Sequence, residues 1–318
     1  MEGEWEKLVE DMKGGSIRAL SKLITGVENR DPGWIEAMKL IFKDTGRARI
    51  IGITGSPGAG KSVLTDQVTR LFVERGLSVG IIAIDPSSPF SGGALLGDRL
   101  RMTSVGNLNN VFIRSMATRG SLGGLSQATR DVAKILDAFG KDIIIIETVG
   151  VGQDEIDVVK TTDLVVVVCV PGQGDAIQAI KAGIMEIADI FVVNKADREG
   201  ADQVVMDIQG MLDISTADTM LPVPVLKTVA IHGDGIQNLT AKIFDILESR
   251  ERETAREEEH LKEEILVLME REIARFVRAK WEKNGQINAM VREVFERKRD
   301  PYSIVQEIIG PVQSQLRE

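Results

Sequence analysis

An apolar run, Ile50–Thr54, passes directly into Gly55-Ser56-Pro57-Gly58-Ala59-Gly60-Lys61-Ser62, which satisfies GxxxxGK[ST] at every fixed position. The stretch after it, Val63–Glu74, has helical character. Strand, glycine-rich turn and helix in that order restrict the chain to the α/β folds that cradle a nucleotide phosphate. Gly55, Gly58 and Gly60 let the backbone curl so that its N–H groups point inward at phosphate oxygens. The helix N-terminus adds the positive end of its dipole. Lys61 is expected to reach the β- and γ-phosphates and Ser62 to offer a hydroxyl to Mg²⁺. The nucleotide-binding set here therefore runs from Gly55 through Val63. A glycine-rich turn without a ligand is the alternative, and the complete strand, loop and helix context disfavours it.

Six further apolar runs follow at intervals: Ser78–Ile84, Val111–Arg114, Asp142–Ile146, Leu164–Val170, Ile190–Val193 and Val223–Leu226. Most are continuous, not alternating, which suits strands buried on both faces of a parallel sheet. The helical stretches between them fit right-handed crossovers. The expected fold is α/β: a P-loop NTPase with a mostly parallel sheet flanked by helices, over residues 48–248. Residues 1–47 form a helical extension. There Trp5, Leu8, Val9 and Met12, then Ile17, Leu20, Leu23 and Ile24, recur at helical spacing. These make two amphipathic helical patterns: Gly14-Gly15 interrupts the first, and Asp31-Pro32 suits the start of the second helix. Residues 249–318 read as a helical arm. Its first part, Glu248–Glu264, is dense in interspersed charge, and beyond it Ile265, Leu268, Met269, Ile273, Phe276 and Val277 make an apolar stripe.

Composition matters for what it excludes. A net charge of −9 argues against a nucleic-acid surface, which needs a basic stripe. The one cysteine, Cys169, lies inside an apolar run and reads as a small buried hydrophobe. His232 and His260 are far apart, so a soft-metal site built from the protein is not expected. The N-terminus resembles neither a secretory signal nor a transit peptide, and no segment is apolar enough to span a bilayer. The expectation is a cytoplasmic protein without a membrane partner.

Mg²⁺ prefers hard oxygen ligands and keeps several waters. Asp85 ends one apolar run and Glu147 another, so both acids belong at the nucleotide edge of an open parallel sheet. Asp98 lies in the loop that follows Asp85. Ser62, Asp85, Asp98 and Glu147 are the candidate metal set. Glu147-Thr148-Val149-Gly150 resembles the DxxG element of GTPases, with Gly150 N–H the natural donor to a γ-phosphate. The residue that follows is Val151, where Ras-like enzymes use a glutamine to orient the attacking water. Valine has no such group, so intrinsic hydrolysis is expected to be slow, on the order of 10⁻³ s⁻¹ or less. Gln153, Asp154 and Glu155, or a residue from a partner, are the candidates to help. The catalytic set is thus Lys61, Asp85, Glu147, Gly150 and Gln153. Asn194-Lys195-Ala196-Asp197 after Ile190–Val193 matches NKxD. The Asp197 carboxylate can accept from guanine N1–H and N2–H₂, donors that adenine lacks. Thr228-Val229-Ala230 sits where GTPases place a second base-contacting loop.

Several stretches together resemble one family, the GTPase chaperones of methylmalonyl-CoA mutase of the MeaB/ArgK type. They are Gly55–Ser62, Ala83–Pro89, Gly97–Met102, Arg114–Leu125, Glu147–Gln153, Pro171–Gly183 and Asn194–Asp197. The resemblance spans roughly residues 10–250 and is specific through the middle. It implies a GTP/GDP-binding, Mg²⁺-dependent hydrolase of the dimer-forming class, with the C-terminal arm helping to form a homodimer. It implies switches around Asp98 and Gly150 and a third at Gly172–Lys181 that couples to the partner. That partner would be a B12-dependent acyl-CoA mutase whose adenosylcobalamin loading the switch gates and which it protects, without binding cobalamin itself. One departure is the second base loop, Thr-Val-Ala where Thr-Ser-Ala is commoner. A P-loop kinase or transport-system ATPase is the alternative from another class, and NKxD speaks against it. A metallochaperone GTPase lacks its usual Cys and His cluster here. A signal-recognition GTPase would need a basic, methionine-rich RNA-binding domain.

Overall fold

The structure, a computed structural model, describes residues 2–85, 105–117, 124–148, 150, 162–172, 185, 187–215, 222–249, 254–282 and 285–315. It comprises two compact units, residues 1–251 and 252–318. The first is built on seven strands: β1 (Arg49–Gly55), β2 (Val79–Asp85), β3 (Val111–Ala117), β4 (Ile143–Glu147), β5 (Leu164–Cys169), β6 (Ile190–Asn194) and β7 (Val225–Thr228). Their spatial order is β3-β2-β4-β1-β5-β6-β7, and every pairing among them is parallel. The register sets Ile53 of β1 beside Glu147 of β4 on one side and Val166 of β5 on the other. β1 is therefore central, and the chain leaves it at the carboxyl edge, where the strand order reverses.

The continuous aliphatic runs are explained by two covered faces. On one, Ile51, Ile53, Ile81, Ile145, Val166 and Val168 pack against α4 (Lys61–Glu74) and α7 (Ile236–Ser249). On the other, Ile82, Ile84, Ile144 and Ile146 meet α5 (Gly124–Ala138) and the N-terminal helices. Farther along that face, Val165, Val167, Phe191 and Val193 pack on α6 (Ala201–Ser215). The four isoleucines of β4 are all buried, each contributing about 1.5–3 kcal/mol.

Residues 1–47 hold three helices where the periodicity suggested two: α1 (Glu2–Lys13), α2 (Ile17–Asn29) and α3 (Trp34–Phe42). The break at Gly14-Gly15 is present, with Gly15 at φ 89°. Ser16 caps α2, its Oγ accepting from the Ala19 N–H at 3.2 Å. Pro32 precedes α3, and Gly33 in the left-handed region provides the cap position. These helices share the core of α5. Arg30 ends α2 and forms an ion pair with buried Asp131 of α5 at 2.6 Å. The Asp137 carboxylate at the end of α5 accepts the backbone N–H groups of Gly46, Arg47 and Ala48, which fixes the approach to β1.

The second unit holds α8 (Thr254–Glu282), α9 (Gln286–Phe295) and α10 (Pro301–Gln315). Leu261, Ile265, Met269, Ile273 and Phe276 of α8 are exposed along one stripe. Between α9 and α10 lies an apolar groove of about 500 Å³, lined by Met290, Val294, Ile304 and Ile308 among others.

Candidate functional site

The phosphate loop begins at the end of β1, where Gly55 is still in register with Val168 of β5. Gly55 sits at φ 142°, and a Cβ there would lie 2.1 Å from the Val168 carbonyl oxygen of β5. No residue with a side chain fits so close an approach, so the glycine is required by the sheet as well as by any ligand. Gly60, at φ 88°, occupies the N-cap of α4, and a Cβ on it would lie 2.5 Å from the Asn194 side-chain nitrogen. Lys61 is buried, and its ammonium donates to the carbonyls of Gly55 at 2.8 Å and Ser56 at 2.9 Å. The loop thus keeps the lysine charge at its centre. Pro57 and Gly58 are exposed at its crest.

Glu147 ends β4 beside this loop. It is buried, and its Oε1 accepts from the Ser62 hydroxyl at 2.6 Å. Two hard oxygen donors from different elements therefore meet at the start of α4. That chemistry fits Mg²⁺, which is held by one or two protein oxygens together with phosphate and water. Among the described residues no group of three or more His, Cys, Asp or Glu could hold a metal ion. Asp85 closes β2, the neighbour of β4, with Ala83 in register with Glu147. The backbone of Asp85 therefore ends at the same sheet edge, while its side chain lies outside the described residues.

Past Glu147, the Thr148 N–H donates to the Ile53 carbonyl at 3.0 Å and extends the β1–β4 ladder by one bond. The Thr148 hydroxyl lies 2.8 Å from the Thr54 hydroxyl and 3.0 Å from the Gly150 carbonyl oxygen. Thr54 in turn donates to that same carbonyl at 2.9 Å.

The Asn-Lys-x-Asp end of the site is organised by Asn194. Its amide nitrogen donates to the Ala59 carbonyl of the phosphate loop at 2.8 Å. Its carbonyl oxygen accepts from the Thr228 hydroxyl and the Ala230 N–H, both at 3.1 Å. One buried amide thus joins the loops after β1, β6 and β7. Lys195 takes the left-handed conformation at φ 57°, and its ammonium donates to the Gly58 carbonyl at 2.7 Å. Asp197 is exposed on the turn that follows. Thr228 is the last residue of β7, two later than the run Val223–Leu226 suggests, and Val229 bridges to Asp234.

The structure brings Gly55–Val63, Glu147, Gly150, Asn194, Lys195, Asp197 and Thr228–Ala230 to the carboxyl edge of the sheet. Asp98, Val151, Gln153, Asp154, Glu155 and Lys181 lie outside the described residues. Thr54 and Thr148 were not singled out from the sequence. Thr54 lies near the end of an aliphatic strand, where threonine is an ordinary β-former, and Thr148 follows an acid that draws the attention. Cys169 is buried as expected, and burial pushes its thiol up to about 12.

A phosphate loop on the central strand of a parallel sheet, tied through one amide to an Asn-Lys-x-Asp turn, places the chain in the class of P-loop GTPases. Residues 20–282 match the family described as methylmalonyl-CoA mutase-associated GTPase MeaB, and the chain belongs to that family. A Pyrococcus abyssi protein named "Putative GTPase" is 50% identical over 315 residues, covering 96% of this chain and 97% of that one. The "Fused isobutyryl-CoA mutase" of Cupriavidus metallidurans is 41% identical over 205 residues, 63% of this chain but 19% of that protein. The crystal structure of LAO/AO transport system kinase superposes with a TM-score of 0.71 at 25% identity, covering 98% of this chain and 99% of that one. The chain is a GTPase. Among the described residues no helix is long and apolar enough to cross a membrane.

Proposed function

We propose that this GTPase is a switch protein that serves a cobalamin-dependent acyl-CoA mutase as its chaperone, gating adenosylcobalamin loading and protecting the mutase. The observation that carries the partner is the relative in which a matching region is part of an isobutyryl-CoA mutase chain. A region joined covalently to a mutase works beside it, and this chain is expected to meet the same kind of partner. The switch is a cytoplasmic homodimer held through residues 249–318, a reading supported by the exposed apolar stripe of α8.

In the reaction, water attacks the γ-phosphorus of GTP, the bond to the β–γ bridging oxygen breaks, and GDP and phosphate leave. Gly55–Val63 hold the phosphates, and Lys61 exchanges its loop carbonyls for phosphate oxygens. Asn194, Lys195, Asp197 and Thr228–Ala230 form the guanine side, with Asp197 selecting guanine over adenine. Ser62 and Glu147, with Asp85 and Asp98, would hold Mg²⁺, which when bound offsets the phosphate charge. Gly150 donates its N–H to the γ-phosphate. Val151 cannot orient water, so turnover is slow until Gln153, Asp154, Glu155 or a residue from the partner does so. The segment 172–181 couples nucleotide state to the mutase.

The test is GTP and ATP turnover by the purified protein, alone and with an acyl-CoA mutase. Slow GTP-only hydrolysis that the mutase accelerates is the expected result. Hydrolysis indifferent to every acyl-CoA mutase tried would remove the chaperone role, and a preference for ATP would favour a kinase.

A further inference from the structure

We infer that the hydroxyls of Thr54 and Thr148 form a latch that positions Gly150 for the terminal phosphate, and so sets the preference for GTP over GDP. The inference rests on the reading of Gly150 as the γ-phosphate donor. Both threonines are 1% exposed, among the most buried polar residues of the site. A buried hydroxyl costs stability unless it is paired, and valine would fill the same space at no such cost. The hydroxyls are nevertheless there, and they converge on one acceptor.

Two protons serve the three short contacts. Thr54 donates to the Gly150 carbonyl at 2.9 Å. Thr148 donates to Thr54 Oγ1 at 2.8 Å, with the same carbonyl as its alternative acceptor at 3.0 Å. The resulting chain runs Thr148 to Thr54 to Gly150, so each hydroxyl polarises the next. Its anchor is rigid. Thr54 is in the central strand, and Thr148 continues the β1–β4 ladder through its bond to Ile53. Its free end is Gly150, which lies over the phosphate loop, since a Cβ on it would be 4.0 Å from Pro57 Cγ. Thr54 also immediately precedes Gly55. One residue is thus both the root of the phosphate loop and the donor that anchors Gly150 through its carbonyl, one bond beyond the Cα that carries its N–H. A guanine nucleotide without a γ-phosphate has nothing for Gly150 to meet, so the latch bears on GTP and not on GDP. Thr54 and Thr148 are positioning residues and touch no reacting atom.

The test is fluorescence titration of the full-length chain with labelled GDP and with a non-hydrolysable GTP analogue, in the presence of Mg²⁺. Thr54→Val should weaken the analogue about tenfold, the worth of one or two buried hydrogen bonds, with GDP affinity within about twofold of wild type. Thr54→Ser, which keeps the hydroxyl, should restore the ratio. Thr148→Val should shift the ratio the same way by a smaller amount, and it serves if Thr54→Val does not fold. Equal weakening of both nucleotides would reduce the pair to a packing role and overturn the proposal. An unchanged or tightened analogue would overturn it too. Gly150→Pro, which deletes the N–H, separates the two readings. If it leaves analogue binding intact, the donor assignment fails. If it weakens the analogue while both valine variants do not, only the latch fails.

Discussion

Replacing Asn194 by alanine would strip the Ala59 carbonyl, the Thr228 hydroxyl and the Ala230 N–H of the amide they share. Each buried polar group left unpaired costs about 1–3 kcal/mol. Asn194→Ala is therefore expected to lower the urea midpoint and to weaken GDP and GTP alike, because it loosens the phosphate loop and the base loop together. Superimposable unfolding curves would remove the bracing role. The motif residues were legible in the sequence because chemistry fixes their spacing: Lys61 must follow Gly60, and Asn194 must open a turn at a strand end. Thr54 and Thr148 were not legible. What matters about them is a partner reached through space, 94 positions away for this pair.

At the scale of elements, strands were easier to read than helices. All seven apolar runs became strands because burial on both faces leaves no room for polar alternation. Their ends moved by one to three residues, as at β3, which runs on to Ala117. Among the helices, Gln127 and Asp131 of α5 form a polar i,i+4 pair that is buried, because α2 covers that face and Arg30 at its end reaches Asp131 from 101 residues away. Burial holds the Asp131 carboxyl above its ordinary value of 3.8, and the Arg30 charge offsets only part of that rise. The folded chain therefore binds this proton more tightly than the unfolded one. The stability it lends is complete below the unfolded value and is lost as pH climbs through the folded one. Arg30→Ala removes the offset. Unfolding at pH 4 and pH 7 should show a wider gap to wild type at the higher pH, reaching about 3 kcal/mol, the low end for a broken buried pair because Arg30 is partly solvated. An equal gap at both values would rule out charge as the cause.

For the whole molecule, the two units differ in what they bury and what they expose. Among the described residues, the three apolar cores formed by the sheet and its helices lie within residues 1–251, while α8 displays its stripe from the second unit. A chain ended after Glu251 is expected to keep guanine nucleotide binding and to sediment as a monomer, with the full chain sedimenting as a dimer. A full chain that also sediments as a monomer would withdraw the proposed homodimer. The order of strands has a consequence for biosynthesis. β1 is translated first among the strands, yet its neighbours are β4 and β5. At roughly 5–20 residues per second, the ribosome needs on the order of 5–20 s to deliver the hundred or so residues between them. Throughout that interval the phosphate loop has no strand to lean on, since Gly55 depends on Val168 and Thr54 on Gly150. Nucleotide capture is thus a late event in the life of the nascent chain, and a ribosome stalled before β5 holds a polypeptide that carries the whole glycine-rich motif and grips no phosphate.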